Sequence, residues 1–534
     1  MIDRSKNADF SVNGSLRNLL AISLVLIVAF ALRAYRLDHQ SYSMDEVIEL
    51  SIASLPISDI VVEPDGFPPL YHLVLKAWVT VWGSEHASRW LSVLVGCLTV
   101  FFTYQLGKRI ANFTVGLAAA ATLAVSPLHI YFSQETRAYA TYISLVSLAL
   151  YLFFAAWKSN KPLYWIGFGV AITASVYTHY YSALLAAFLG LAFLASRPPL
   201  RDKARGLVAL SLAACACAPA VLLMRGDHSF QTEGCMYTPF NWQGWGYTVF
   251  TSLGGFSLGP SPSEMHAAEQ SEIISQSLPW IALLGIAAGW LGWHGFLRIQ
   301  KLPKGWTLIL LALLAAPMIG MIGETAGVGY KVRYVSWTIV PLSVLLGAGA
   351  VAGLKFSRGA GILAISLFLS VQAYAIYQRQ HVPRYANEDI RALAATLNSG
   401  DYTPGPVFVV SDYMIGPVKY YLNGTLIHQE DSEKAWQVYE LPKSEQGRAS
   451  FLEDEAVERA FERISQRVAQ DVFWLIYTRS YHGDPEGLFL EAFEERFEVI
   501  NRIDSTGALL IRARRTNQQR DAQSALHTTG SEKR

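Results

Sequence analysis

The chain has 534 residues, 52% of them hydrophobic and only 16% charged, with a formal net charge of +1. A soluble domain carries about a quarter charged residues, so a water-soluble globule is excluded. The basic residues are scattered through short loops, which offers no surface to nucleic acid, and Cys97, Cys215, Cys217 and Cys235 form neither a disulfide framework nor a zinc spacing.

Apolar stretches of about 20 residues read as membrane spans. About eleven are predicted, with cores at 18–37, 88–107, 114–132, 139–157, 162–178, 181–196, 207–224, 279–296, 305–323, 335–353 and 359–377. The first mimics a signal peptide, with "AFA" at 29–31, but the many spans that follow call for an anchor there. Loops rich in Lys and Arg mark the cytoplasmic side. "GKRIANF", "KSNK", "SRPPLRDKARG", "RIQKLPKG" and "KFSRG" all fall on one side under this assignment. The N-terminus is then cytoplasmic, and everything after about residue 378 is outside.

Behind the first span comes "SYSMDEVIELSIAS" at 41–54, predicted as a short amphipathic helix. Ser43-x-x-Glu46 is a capping box, and acids in a first turn suit the helix dipole. That accounts for Glu46 and only partly for Asp45. Residues 68–83, "PPLYHLVLKAWVTVWG", are short and carry His72 and Lys76, so they read as a helix lying in the outer interface. From residue 385 the pattern changes: "NEDIRALAATLNSG" has helical spacing, while "GPVFVVSD", "DVFWLIYT", "FEVINRID" and "GALLIRARR" read as strands. The expected organisation is a membrane domain at 1–378, a small extracytoplasmic α/β domain at 385–515 and a disordered tail at 516–534.

The outer loops hold the reactive side chains. The first has Asp45, Glu46, Glu63 and Asp65; the second, "SPLHIYFSQETRAYA", has His129, Gln134, Glu135, Arg137 and Tyr139. Then come His179, Tyr180 and Tyr181 in "YTHYYS", and Glu324, Lys331, Arg333 and Tyr334 in "GETAGVGYKVRY". Ionisable groups at membrane depth are costly and are functional candidates by default. Carboxylates for proton transfer beside cations for an anion suit a sugar arriving on a polyprenyl phosphate, whose leaving group is already an anion. One carboxylate then suffices to deprotonate an acceptor hydroxyl, and arginine matches phosphate oxygens. Blander readings stand beside these. Glu135 and Arg137 make a structural ion pair in one, Arg33 and Arg36 snorkel, His179 is a satisfied hydrogen-bonding residue, His129 packs, and Tyr180, Tyr181, Trp242 and Trp245 belong to an interfacial belt.

Arg33 and "LD" at 37–38, "MDE", "PPLY", "ASRWLSVLVG", "SPLHIYFSQETRAYA", "THYYSALL" and "VRYVSWTIVP", in this order, resemble the GT-C membrane glycosyltransferases. The bacterial glycosyltransferase family 39 proteins, relatives of protein O-mannosyltransferases and lipid A aminoarabinose transferases, are the subgroup the first 350 or so residues resemble. The resemblance implies a GT-C fold with eleven to thirteen spans in a bacterial inner membrane. It implies an acid of the first outer loop as base, which falls on Asp45 and Glu46, with Glu135 in place of a second Asp found in some relatives. Arg33, Arg137, Tyr139, His179, Tyr180, Lys331, Arg333 and Tyr334 are then expected to bind donor and phosphate. No cofactor is assigned. Some relatives use a divalent metal, but no His/Asp cluster here is tight enough to name one. The expected partners are the bilayer, a polyprenyl-phosphate sugar and a glycan, lipid or protein acceptor. A lipid-linked glycan transporter and a noncatalytic subunit of a polysaccharide assembly system are the rivals; the first predicts related halves, and no repeat is visible.

Overall fold

The structure, a computed structural model, describes residues 4–62, 68–83, 87–159, 161–196, 200–226, 242–261, 264–265, 270–325, 330–427, 429, 436–441, 451, 454–468 and 472–515. Glu63, Asp65, residues 227–241 and the tail from 516 lie outside these. The chain divides into two units. The first holds Met1–Leu37, Ile52–Gly259 and Ile274–His381; the second holds Asp38–Ser51, Pro260–Ile273 and Val382–Arg534.

The first unit is helical. Its opening elements are α1 (Arg4–Ala34), α2 (Met44–Ser54, whose last three residues lie in this unit), α3 (Ile57–Val62), α4 (Leu70–Trp82), α5 (Ser88–Ile110), α6 (Phe113–Ala124), α7 (Pro127–Ser133), α8 (Ala138–Ser159), α9 (Pro162–Val176), α10 (Tyr181–Ala195) and α11 (Leu200–Gly226). Helices Trp242–Gly254, Gln270–Ile299, Gly305–Leu313, Ala315–Thr325, Ile339–Phe356 and Arg358–His381 follow. Each predicted core is largely helical, although 114–132 is broken at Val125–Ser126 and 305–323 at Leu314. By length and apolarity seven of the described helices can cross a membrane alone, and eight spans result if α6 and α7 count as one.

The α6–α7 pair is bent by 65°, and the bend has a local cause. Ser126 is extended and its hydroxyl accepts the His129 N–H, while Pro127 opens α7 without an N–H of its own. A serine cap followed by proline stops one helix and starts the next. Elsewhere the helices close on small residues. A Cβ on Gly349 would lie 1.8 Å from the Leu291 carbonyl oxygen, and one on Gly295 would lie 2.1 Å from that of Leu345. Two helices therefore cross backbone to backbone at this glycine pair. The core between α8, α9 and α10 is aromatic: Phe153 meets Trp157 edge-on at 5.3 Å, and Trp165 meets Phe193 at 5.2 Å. Such offset geometry suits the ring quadrupoles.

The second unit is built on a five-stranded mixed sheet of order β2-β1-β3-β5-β4. The strands are β1 (Pro406–Val410), β2 (Gln437–Glu440), β3 (Val472–Thr478), β4 (Phe497–Ser505) and β5 (Ala508–Arg515). β1 pairs in parallel with β2 and β3, and β5 pairs antiparallel with β3 and β4. One face packs Val407, Val409, Trp474 and Ile476 with Ile390, Leu393 and Val418 of helices Ile390–Leu397 and Ile415–Asn423. The other packs Phe408, Phe473 and Ile511 with Phe461, Phe489 and Phe493 of helices Asp454–Arg467 and Leu488–Arg496. With both faces covered, the central strands need apolar residues at every position, which is why "PVFVV" does not alternate.

Candidate active site

In the first unit, three helix N-termini meet. Arg137 stands directly before α8, Tyr181 opens α10, and Arg333 is the second residue of the 3-10 turn Val332–Thr338 that runs into helix Ile339–Phe356. The guanidinium of Arg137 lies 5.4 Å from the Tyr139 ring centroid and that of Arg333 lies 5.8 Å from the same centroid. The Tyr142 hydroxyl donates to the Tyr334 carbonyl at 2.9 Å, tying α8 to the 3-10 turn. Arg137 is buried and Arg333 half-buried. A helix N-terminus is the positive end of the macrodipole. Cations there, two of them around one ring, concentrate positive potential where an anion is best held.

His179 sits at the centre of this group. Its imidazole stacks on Tyr142 at 4.6 Å and lies 5.1 Å from Tyr334, 5.7 Å from Tyr181 and 6.0 Å from Tyr139. The Tyr181 backbone N–H donates to Nδ1 at 3.3 Å. Nδ1 is thus an acceptor and the ring proton resides on Nε2. Burial, with Arg333 and Arg137 nearby, pushes the His179 pKa down to about 3. The ring is a neutral donor rather than a third cation.

Of the predicted binding residues, Arg137, Tyr139, His179, Arg333 and Tyr334 are brought together. Lys331 is half-buried two residues before Arg333, and its carbonyl accepts the Tyr334 N–H at 3.0 Å. Tyr180 is half-buried and caps α10; the ring beside His179 is that of Tyr181, which the sequence reading left in the interfacial belt. Tyr142 was missed, although its place three residues after Tyr139 puts both on one face of α8. Glu135 is half-buried, and its carbonyl accepts from Ser92 Oγ at 2.6 Å and from the Arg137 N–H at 2.9 Å.

Arg33 departs from expectation. It is fully buried, and its guanidinium donates to the carbonyls of Ala29 (2.9 Å), Ala124 (3.1 Å) and Leu123 (3.3 Å) and meets His129 Nδ1 at 2.6 Å. It binds the α6–α7 bend to α1 instead of facing a phosphate. Gln134 assists, its amide donating to the carbonyls of Arg33 and Tyr35 at 3.0 Å each. Lys76, placed on an interfacial helix, instead caps α2: its ammonium donates to the carbonyls of Leu55 (2.7 Å) and Ala53 (3.1 Å), where a cation suits the negative helix end. A groove of about 930 Å³ lies on the same unit, lined by Leu70 and Leu73 of α4, Trp165 and Ile166 of α9, Tyr177 at the end of α9, and Val208 of α11. It is separate in character from the cationic group, being almost wholly apolar.

Asp45 and Glu46 belong to the second unit. The capping box forms: Glu46 is buried, and its Oε2 accepts from Ser43 N at 3.0 Å and Ser43 Oγ at 3.4 Å. Asp45 is half-buried, and its Oδ1 accepts a hydrogen bond from the Tyr413 hydroxyl at 3.0 Å. The two adjacent acids thus have separate surroundings. Among the described residues no three His, Cys, Asp or Glu side chains stand close enough to hold a metal ion.

Residues 67–222 match the family model described as dolichyl-phosphate-mannose-protein mannosyltransferase. No curated protein sequence matches the chain. Among solved structures, ArnT from Cupriavidus metallidurans in its apo state is similar over 94% of this chain and 98% of its own, at 12% identity and a TM-score of 0.53. The AglB oligosaccharyltransferase of Archaeoglobus fulgidus is similar over 95% of this chain and 75% of its own, at 10% identity and a TM-score of 0.50. The chain shares its fold with these two structures. At these identities the likeness lies in the fold, as a multi-pass helical domain followed by a small α/β unit.

Proposed function

We propose that this chain is a membrane glycosyltransferase that moves a sugar from a polyprenyl-phosphate donor to an acceptor hydroxyl on the outer face of the membrane. The observation that carries the reading is the cationic group of the first unit: Arg137 and Arg333 share the Tyr139 ring at the N-termini of two helices. That arrangement suits a phosphate more than any neutral ligand. The similar AglB was solved with a dolichol-phosphate and an inhibitory peptide, which supports a lipid-phosphate donor here. The apolar groove that reaches Tyr177, two residues from His179, suits an isoprenoid tail.

In the reaction, Asp45 takes the proton of the acceptor hydroxyl as its oxygen attacks the anomeric carbon. The bond from that carbon to the donor phosphate breaks on the opposite side, inverting the centre. The departing phosphate is met by Arg137 and Arg333, with Lys331 as a supporting point charge and neutral His179 donating from Nε2. Fixed cations suit the charge that a leaving phosphate develops, and a leaving group that is already an anion requires no general acid. Glu46 holds the helix that carries Asp45, and Glu135 fixes the turn before Arg137. The charge pattern of the loops supports a cytoplasmic N-terminus with the second unit outside.

The test compares Asp45→Asn with the unaltered chain in native membranes supplied with radiolabelled undecaprenyl-phospho-hexose and, separately, undecaprenyl-phospho-pentose. A general base contributes roughly a hundred- to ten-thousandfold, so label transfer should fall by at least that lower figure while donor binding persists. Full transfer by Asp45→Asn would sink the assignment.

A further inference from the structure

Asp45 is one residue of a polar chain confined to the second unit, and the mechanism above uses only its first member. The Tyr413 hydroxyl donates to Asp45 Oδ1 at 3.0 Å. The Arg479 guanidinium lies over the Tyr413 ring at 4.7 Å. Arg479 Nε in turn donates to Glu388 Oε1 at 2.7 Å, and the Tyr481 hydroxyl donates to the same oxygen at 3.4 Å. Arg479 is therefore pinned from one side and pressed on a ring on the other. Its backbone has φ 46° and ψ 49°, a left-handed conformation uncommon for a residue with a side chain. Such strained positions persist only where the surroundings over-determine them.

We propose that Tyr413 is a positioning residue for the base. Its hydroxyl holds one Asp45 oxygen and so sets the direction of the carboxylate, and Arg479 with Glu388 holds the Tyr413 ring. This rests on the reading of Asp45 as the base. A phenol donating to a carboxylate oxygen fixes the rotamer of that side chain, and such a bond favours the charged form of a carboxylate in general. The loop beginning at Ser411 thereby carries a positioning residue for Asp45 within the second unit.

Tyr413→Phe removes the hydroxyl and leaves the ring for Arg479. With the full-length chain in native membranes and the labelled donor of the preceding test, kcat should fall roughly tenfold with donor KM unchanged. The acid limb of the pH–rate profile should move to higher pH, since the lost hydrogen bond favoured the carboxylate. Arg479→Met, which frees the ring but keeps the hydroxyl, should give a smaller shift in the same direction, and it carries the test if Tyr413→Phe fails to accumulate. If Asp45→Asn is inactive while Tyr413→Phe keeps both kcat and the acid limb, the positioning role is wrong and the base assignment survives. If Asp45→Asn is active, the base assignment itself has failed.

Discussion

Replacing Arg33 decides between two jobs that the sequence left open. The guanidinium has three contacts beyond its own helix, to Leu123, Ala124 and His129, at 3.3, 3.1 and 2.6 Å. A hydrogen bond from a charged donor contributes about 1.5–3 kcal/mol, and such bonds in one network do not simply add. Arg33→Ala also leaves a cavity beside Gly96, whose own Cβ would come within 3.2 Å of Arg33 Nε. The expected loss is about 3–5 kcal/mol, from the partly additive charged hydrogen bonds together with the cavity left behind. Arg33→Lys should lose about 2 kcal/mol, because a single ammonium cannot span acceptors that a planar fork reaches. Thermal unfolding of the detergent-solubilised chain, followed by intrinsic fluorescence, checks both. Donor KM measured on the folded fraction should stay unchanged. Normal unfolding with a raised donor KM in Arg33→Lys would refute the argument and restore Arg33 to the phosphate.

Glu46→Gln should keep transfer near normal, because an amide oxygen can still accept from Ser43 N, whereas Glu46→Ala should cost about 1 kcal/mol of stability as a lost cap; the pair is read by unfolding and label transfer together. Arg137→Ala and Arg333→Ala should each lower kcat/KM for the donor by roughly ten- to a hundredfold, with Lys restoring little at either place, since a point charge does not reproduce bidentate contact. The His179 pKa of about 3 lies below the ordinary 6.5, so the unfolded chain takes up a proton that the folded chain refuses. Stability should therefore fall as pH drops from 6.5 toward 3, and His179→Gln should flatten that fall in unfolding midpoints measured across the range.

The helical half of the fold was legible because apolar runs bounded by Lys and Arg leave few alternatives in a bilayer. The α6–α7 bend was not anticipated, since 114–132 was read as one span, although the dipeptide Ser126-Pro127 carries a signal for it. Arg33 was not legible. A cation at the end of a span reads as snorkelling or as ligand binding, and only the fold shows backbone carbonyls turned toward it. Nor could the sequence place Asp38–Ser51 with residues 382–515, since local pattern carries no information about which segments associate across some 340 positions. β2 was missed because four residues at a sheet edge, "QVYE", have too short a pattern to stand out. Arg137, His179 and Arg333 were chosen from chemistry alone, and what brought them together was the geometry of helix beginnings, which spacing could only suggest.

The sheet order also bears on how the second unit is made. Among the described strands β4 pairs with β5 alone, and β5 links it to β3. During synthesis, then, β4 emerges with no strand to receive it. It must wait, exposed and charged at Glu498, Arg502 and Asp504, until residues 508–515 have been added. Those charges protect a waiting edge from pairing with a stranger, and assembly of this unit is gated by its last strand rather than built outward from its first.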